Sequence, residues 1–414
     1  MVDSNHRNDD ADDVSKNDQD PLPFQIELTL IELSEVVRDD PSGKEIPNQV
    51  DQILQTLSCN DALSYLATLI PPPTMSPKKD SNGTKKKKRW FGRRQQAEQQ
   101  DDPLEKKTQE IKDRIQKQVV RFLKVPDKYV SWGSILLKSQ AFHQVHDYHA
   151  PTIPRPLMEL PRTQYKKPYI PSTEKYDSFP EVNLYPISVS HQFPFVGLAR
   201  LVVTEISKQP QHRPLVGLDI VTYDDYNPRL YDSAQAFVKV FKTSFTDWEW
   251  DCIHNRTSTN LHMLREFYLR WAIKEAYTKA LGVGMGLSFD SFETHLSGIT
   301  EEGSIYAWIL EECSRADGGS SSNDYQKPLL ARGFVVINPG TDTCKSEGCT
   351  FFFLPLWDVN KPAHTTAMGC ACICLSQPQS TNQTEAAMFE LVTKWQSLED
   401  VVAWHENNSS VVMM

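Results

Sequence analysis

The residue type and spacing with the most chemistry in this sequence is a carboxylate set into an apolar helical face. Within Leu261–Gly282, LHMLREFYLRWAIKEAYTKALG, the residues Leu264, Phe267, Tyr268 and Trp271 recur at the three- and four-residue spacing of a buried helical face. At about 100° per residue, Glu275 projects between Leu264 and Tyr268. A buried carboxylate must be neutralised, paired with a cation or bound to a metal, since an unpaired buried charge costs on the order of several kcal/mol. Lys274 precedes it and Lys279 follows at i+4, so the face presents a carboxylate flanked by cations, which suits a phosphate and its metal. The competing reading is a surface helix whose Glu266/Arg270 and Glu275/Lys279 pairs contribute only about tenths of a kcal/mol. Gly282 fits a left-handed helix cap, and the GVGMG that follows is too weak a signal for a nucleotide loop.

A second carboxylate, Asp219, stands in the middle of an apolar strand, PLVGLDIVTYDD at Pro214–Asp225, and Ser190 with His191 forms the polar end of a hydrophobic strand upstream. Each has an ordinary explanation alone, an Asp capping a turn or a satisfied core histidine. Together the two carboxylates can hold one Mg2+ if substrate phosphates and water complete its octahedron.

The elements that must position these groups read as a mixture of strands and helices. The chain of 414 residues suffices for two ordinary domains or one enlarged domain, and its 39% hydrophobic content with nine Trp and eighteen Phe can bury a core. The net charge of -10 argues against general nucleic-acid affinity, although it averages an acidic start with a basic patch. No run reaches the ~20 apolar residues of a membrane span, and the first residues lack signal features, so a cytosolic protein without membrane partners is expected. Eight Cys do not make a disulfide framework here. Cys344, Cys349, Cys370, Cys372 and Cys374 raise a zinc question, but the last three alternate with period two and read as small hydrophobes on one strand face.

In chain order, residues 1–22 read as an acidic disordered tail, and FQIELTL from Phe24 as a half-buried strand. Val50–Leu69 reads as a helix stopped by Pro71–Pro73, and residues 74–103 as a basic insertion carrying KKKKRWFGRR at 85–94. That run is a solvated loop, a nuclear-import-like run, an anionic-lipid patch or a dock for an acidic partner. Helices follow over Glu105–Leu123 and Asp127–His143, the second with Lys138 on a different side from Trp132, Ile135, Leu136 and Phe142. Strands are expected over Ile187–Gln192, Phe195–Val203 and Pro214–Asp225, a hairpin from CTFFFLPLWDV and HTTAMGCACICL, and a terminal helix over Glu385–His405.

The order SVSHQ, VGLDIV, FYLRWAIKEAYTKALGVGMG resembles the phosphopantetheinyl transferases of the surfactin-synthetase type, which include the aminoadipate-semialdehyde dehydrogenase activators of eukaryotes. The match is to that family's paired signatures (V/I)G(I/L)D and FxxxWxxKE(A/S)xxK. RTQYKKPYI stands where the family has a GKP segment, and DKYVSWGSILLK where it has a helix contacting coenzyme A; the resemblance covers about Asp127–Leu375.

The resemblance implies that Asp219 and Glu275 bind Mg2+ at the pyrophosphate of coenzyme A, that His191 meets a phosphate of its adenosine diphosphate portion with Ser190 beside it, and that Lys279 pairs with the phosphates. Lys138 and Lys167 are candidates for the 3′-phosphate and adenosine end, Lys274 is a further candidate on the cation-flanked face, and Trp271 anchors Glu275. The implied reaction is holo-[acyl-carrier-protein] synthesis. A serine hydroxyl of an apo carrier domain, acyl carrier, peptidyl carrier or aminoadipate reductase in type, attacks the β-phosphate with Glu275 as candidate general base. Two departures stand out: Val221 occupies a position where many members carry a third carboxylate, and Lys166 replaces the GKP glycine.

The implied fold is α+β, two similar halves related by a pseudo-twofold, each a small antiparallel sheet packed with a helix, with the active site in the cleft between them. The halves would run over 23–215, with the insertion inside, and 216–377, leaving 378–414 as a C-terminal helix and tail in a monomer. A scaffold that kept this fold and docks partners through the basic insertion is the competing class, and a coenzyme A hydrolase a more distant one.

Overall fold

The computed structural model describes residues 24–55, 103–146, 160–163, 165–171, 184–203, 215–224, 226–297, 299, 304–316, 328–357, 367–376 and 389–407. The expected acidic tail, residues 74–102 of the basic insertion and residues 56–69 of the expected helix lie outside these residues.

The elements in chain order are β1 (Phe24–Glu32), α1 (Ser34–Asp39), α2 (Glu45–Gln55), α3 (Pro103–Val120), α4 (Val125–His146), β2 (Tyr169–Pro171), β3 (Leu184–Gln192), β4 (Phe195–Val203) and β5 (Leu215–Thr222). They continue with α5 (Ala234–Lys239), α6 (Asp247–His254), α7 (Asn260–Leu281), β6 (Phe292–Leu296), α8 (Ile305–Ala316), β7 (Leu329–Ile337), β8 (Lys345–Leu356), β9 (Gly369–Ser376), β10 (Phe389–Gln396) and α9 (Leu398–Asn407). They build a mixed α+β fold with two five-stranded sheets, ordered β10-β1-β4-β3-β2 and β5-β9-β8-β7-β6.

Period-two patterning explains how the sheets stack. Ile26, Leu28 and Leu30 of β1, with Phe195, Ala199 and Leu201 of β4, bury one face of the first sheet against Val216, Leu218 and Ile220 of β5 and Ala371, Ile373 and Leu375 of β9. Gly197 permits this approach, because a Cβ there would lie 2.8 Å from Ile220 Cδ1. The other face of the first sheet packs Ile187, Val196 and Leu198 on α4 and α9 through Trp132, Leu136, Phe142 and Val401. On the far side of the second sheet, Cys370, Cys372 and Cys374 share a face with Phe351 and Phe353 and pack against α7. The alternating cysteines are thus core residues of β9.

Two expectations are corrected here. The stretch expected as one terminal helix is β10 followed by α9, and β10 runs parallel to β1, so the first sheet is mixed rather than antiparallel. In FELVTKWQ, Leu391 and Trp395 alternate toward the core between the sheets. Ser397 then starts the helix: its Oγ accepts from Asp400 N and its own N–H donates to Asp400 Oδ2. Among the described residues no helix is long and apolar enough to cross a membrane.

Candidate active site

α7 is capped at its start by Thr259, whose side chain accepts from His262 N, and at its end by Gly282 at φ 75°. It is buried nearly all round, on the second sheet, on α6 and α8, and on an aromatic group from α5 and the turn after it. Its least covered side carries Tyr268, Trp271, Glu275 and Lys279. The stripe that reads as core from the sequence is therefore, at Tyr268, Trp271 and Glu275, the wall of a cavity of about 530 Å³. Conversely, Glu266/Arg270 is no surface pair: its side chains are 0% and 3% exposed, 2.9 Å apart, and Glu266 also accepts from Ser304 Oγ and Tyr306 N at the start of α8.

Three elements bring the polar groups of the cavity together. On β3, alternate serines face β5: Ser188 Oγ accepts from Leu218 N at 2.8 Å, and Ser190 Oγ accepts from Ile220 N at 3.2 Å. Ser190 Oγ also donates to Asp219 Oδ1 at 2.8 Å. From α7, Lys279 Nζ donates to the same Oδ1 at 2.6 Å and to Ser190 Oγ at 3.0 Å. Both bonds fall on Oδ1, and Oδ2 of Asp219 takes no hydrogen bond from a described residue.

Glu275 lines the same cavity and pairs with no described side chain. Burial raises its pKa above 4.5, Lys279 opposes that rise, and the charge of Asp219 adds to it. Two mutually repelling carboxylates with unused oxygens on the wall of this cavity fit a hard divalent cation that completes its shell with phosphate and water. Among the described residues no group of three or more His, Cys, Asp and Glu gathers, in keeping with Val221 packing into the core.

His191 stands exposed at the rim of the cavity. Desolvation at the wall, then the ammonium of Lys279 and more weakly that of Lys138, lower its pKa below 6.5. Lys138, half-buried on α4, is near His191 without lining the cavity.

Two lysines expected at the ligand are elsewhere. Lys274, 0% exposed, points away from the cavity into an ion pair with Glu249 of α6 at 2.7 Å and donates to the carbonyls of Phe289 and Phe292. One residue from Glu275, it is turned about 100° around the helix. Lys167 does not line the cavity; its Nζ donates to the carbonyls of Val216 and Ala280. In the aromatic wall of Phe237, Phe241, Phe267, Tyr268 and Trp271, the last three read from the sequence as core, and the first two are missed by the sequence reading. The spacing of Phe237 and Phe241 in AQAFVKVF was the signal for the rest.

Residues 215–311, which contain β5, α7 and half of α8, match the family model described as the 4'-phosphopantetheinyl transferase superfamily. The L-aminoadipate-semialdehyde dehydrogenase-phosphopantetheinyl transferase of Xenopus laevis is 31% identical over 155 residues, 37% of this chain and 45% of that protein. A phosphopantetheinyl transferase of Thraustochytrium is 31% identical over 132 residues, 31% of this chain and 39% of that protein. The 4'-phosphopantetheinyl transferase A of Aspergillus fumigatus is 28% identical over 326 residues, 69% of this chain and 83% of that protein. The chain thus matches less than half the length of the first two and most of the third. Asp219, Glu275 and Lys279 all fall inside the stretch that is similar to the 4'-phosphopantetheinyl transferase superfamily.

Proposed function

We propose that the protein transfers phosphopantetheine from coenzyme A to a serine of an apo carrier domain and releases adenosine 3′,5′-bisphosphate. The observation that carries this reading is the junction of Asp219, Ser190 and Lys279 within hydrogen-bond distance, with Glu275 in the same cavity. The two sheets correspond on this reading to two pseudo-twofold halves, and the cavity between β3 and α7 to the cleft between them. The protein acts as a cytosolic monomer.

Asp219, through its unpaired oxygen, and Glu275 would hold Mg2+. When bound, the ion supplies neutralising charge at the pyrophosphate. Lys279 and His191 bind and orient the phosphates, with Lys138 toward the adenosine end. Ser190 holds Lys279 and Asp219 in place from below. The carrier serine oxygen forms a bond to the β-phosphorus while the bridging P–O bond breaks and its electron pair leaves with adenosine 3′,5′-bisphosphate. Glu275 takes the serine proton as general base. Positioning and fixed charge do most of the work.

The test is transfer by Glu275→Gln and Asp219→Ala. Both are expected to lose activity by about 10²-fold or more with the circular dichroism of the wild type retained. Near-normal turnover in either contradicts the assignment.

A further inference from the structure

The side-chain nitrogen of Lys167, in a family-like motif, is bonded to backbone on two elements. Its Nζ donates to the carbonyl of Val216 at 2.9 Å and to that of Ala280 at 2.8 Å. Val216 is the second residue of the strand that carries Asp219, and Ala280 follows Lys279 at the end of the helix that carries Glu275. One nitrogen therefore joins the two elements whose relative placement decides where the charged groups of the cavity meet.

The surroundings are built for this contact. The carbonyl of Ala280 is among the last four of α7, which have no partner within the helix and favour a cation. Gly282 leaves room for the lysine stem, since a Cβ there would lie 3.1 Å from Lys167 Cδ. Gly217 lets the backbone of α7 rest directly on β5, for a Cβ there would meet Ala276 O at 1.8 Å and Ala280 N at 2.4 Å. Lys167 itself is held by its backbone: its N–H donates to Thr163 Oγ1 and its carbonyl accepts from Thr163 N.

We propose that Lys167 is a positioning residue that staples β5 to the end of α7, keeping Asp219 in register with Glu275 and Lys279, and that it does not bind coenzyme A. The catalytic consequence rests on the transferase reading above; the staple itself does not. Burial lowers the pKa of Lys167 to about 7, and a neutral amine still has the two N–H groups that the two carbonyls require.

The test compares full-length wild type, Lys167→Met and, as a neighbouring control, Lys166→Met. The first readout is amide hydrogen exchange without ligand. Lys167→Met is expected to speed exchange at Gly282 and Val283, whose amides close the end of α7, by about tenfold or more while Lys166→Met does not. The second readout is steady-state transfer. Lys167→Met is expected to lower kcat by about tenfold or more, with KM for coenzyme A within about threefold of wild type. If the Met variant does not fold, Lys167→Gln takes its place and is expected to show the same direction in both readouts.

Unchanged exchange in the folded variant overturns the staple. A raised KM with intact kcat overturns it in favour of a phosphate contact. If the wild type modifies no carrier, the transferase reading has failed, and hydrogen exchange alone decides the staple.

Discussion

Lys279 Nζ of α7 sits 2.6 Å from Asp219 Oδ1 of β5 across a sequence separation of 60, although Glu275 stands one helical turn away as the local alternative. The ammonium is thus drawn toward the strand, and Glu275 is left facing the cavity without a partner among the described residues. Removing the ammonium leaves the two carboxylates with no side-chain cation beside them and takes away a phosphate partner. Lys279→Met is accordingly expected to lower kcat by about 10²-fold or more, with Lys279→Arg recovering part of it. Steady-state kinetics on the two variants check this, and an unimpaired Met variant contradicts it.

Lys274 and Glu249 form an ion pair with both side chains fully buried. Lys274→Met leaves the Glu249 carboxylate uncompensated and is expected to cost about 3–5 kcal/mol, and adding Glu249→Gln is expected to recover part of that loss. Urea unfolding of the single and double variants measures both. A ligand lysine would instead raise KM for coenzyme A at unchanged stability.

These two lysines show what the sequence makes legible. Glu275, Lys279, Trp271 and the strand-centred Asp219 are readable because helical and strand periods fix which side chains share a face. Which face is wet is decided by distant segments. The back of α7 is covered by α6 and by the carbonyls of Phe289 and Phe292, so Lys274 is core and the face with more aromatic residues is the cavity wall. β10 was hidden for a similar reason: its strand character depends on pairing with β1, where Phe24 meets Phe389, and the adjoining SLEDVVAWHEN is a strong local helix signal. Lys167 looks like a phosphate ligand until the carbonyls of Val216 and Ala280 are seen beside it.

Gly217 has no room for a side chain, because the nearest obstacles to a Cβ are backbone atoms of α7. Gly217→Ala must push the helix from the strand, which is expected to cost about 1–3 kcal/mol or more and to lower kcat/KM by about 10²-fold. Gly348→Ala, with nothing within 4 Å of an added Cβ, is expected to be near neutral and serves as the reference. Equal thermal stability of the two variants contradicts the close packing.

The depressed pKa of Lys167 has a pH signature. The folded protein releases this proton at about 7, whereas an ordinary lysine holds it to about 10.5. Between those values the unfolded chain binds a proton that the folded chain lacks, so this group makes stability rise with pH across that window and adds no slope below it. The stability of the wild type relative to Lys167→Met is therefore expected to increase from pH 7 toward pH 10.5. A difference in urea-unfolding free energy that stays constant over that range contradicts it.

The proposed activity is the transfer of phosphopantetheine to a carrier serine at the junction of Asp219, Glu275 and Lys279. Its most direct test is intact-protein mass spectrometry of apo carrier proteins incubated with this protein and coenzyme A, with Mg2+ and with a chelator. The expected result is a mass gain of one phosphopantetheine per carrier, dependent on Mg2+ and absent with Asp219→Ala. No gain on any carrier type, in a preparation that demonstrably binds coenzyme A, would contradict the account.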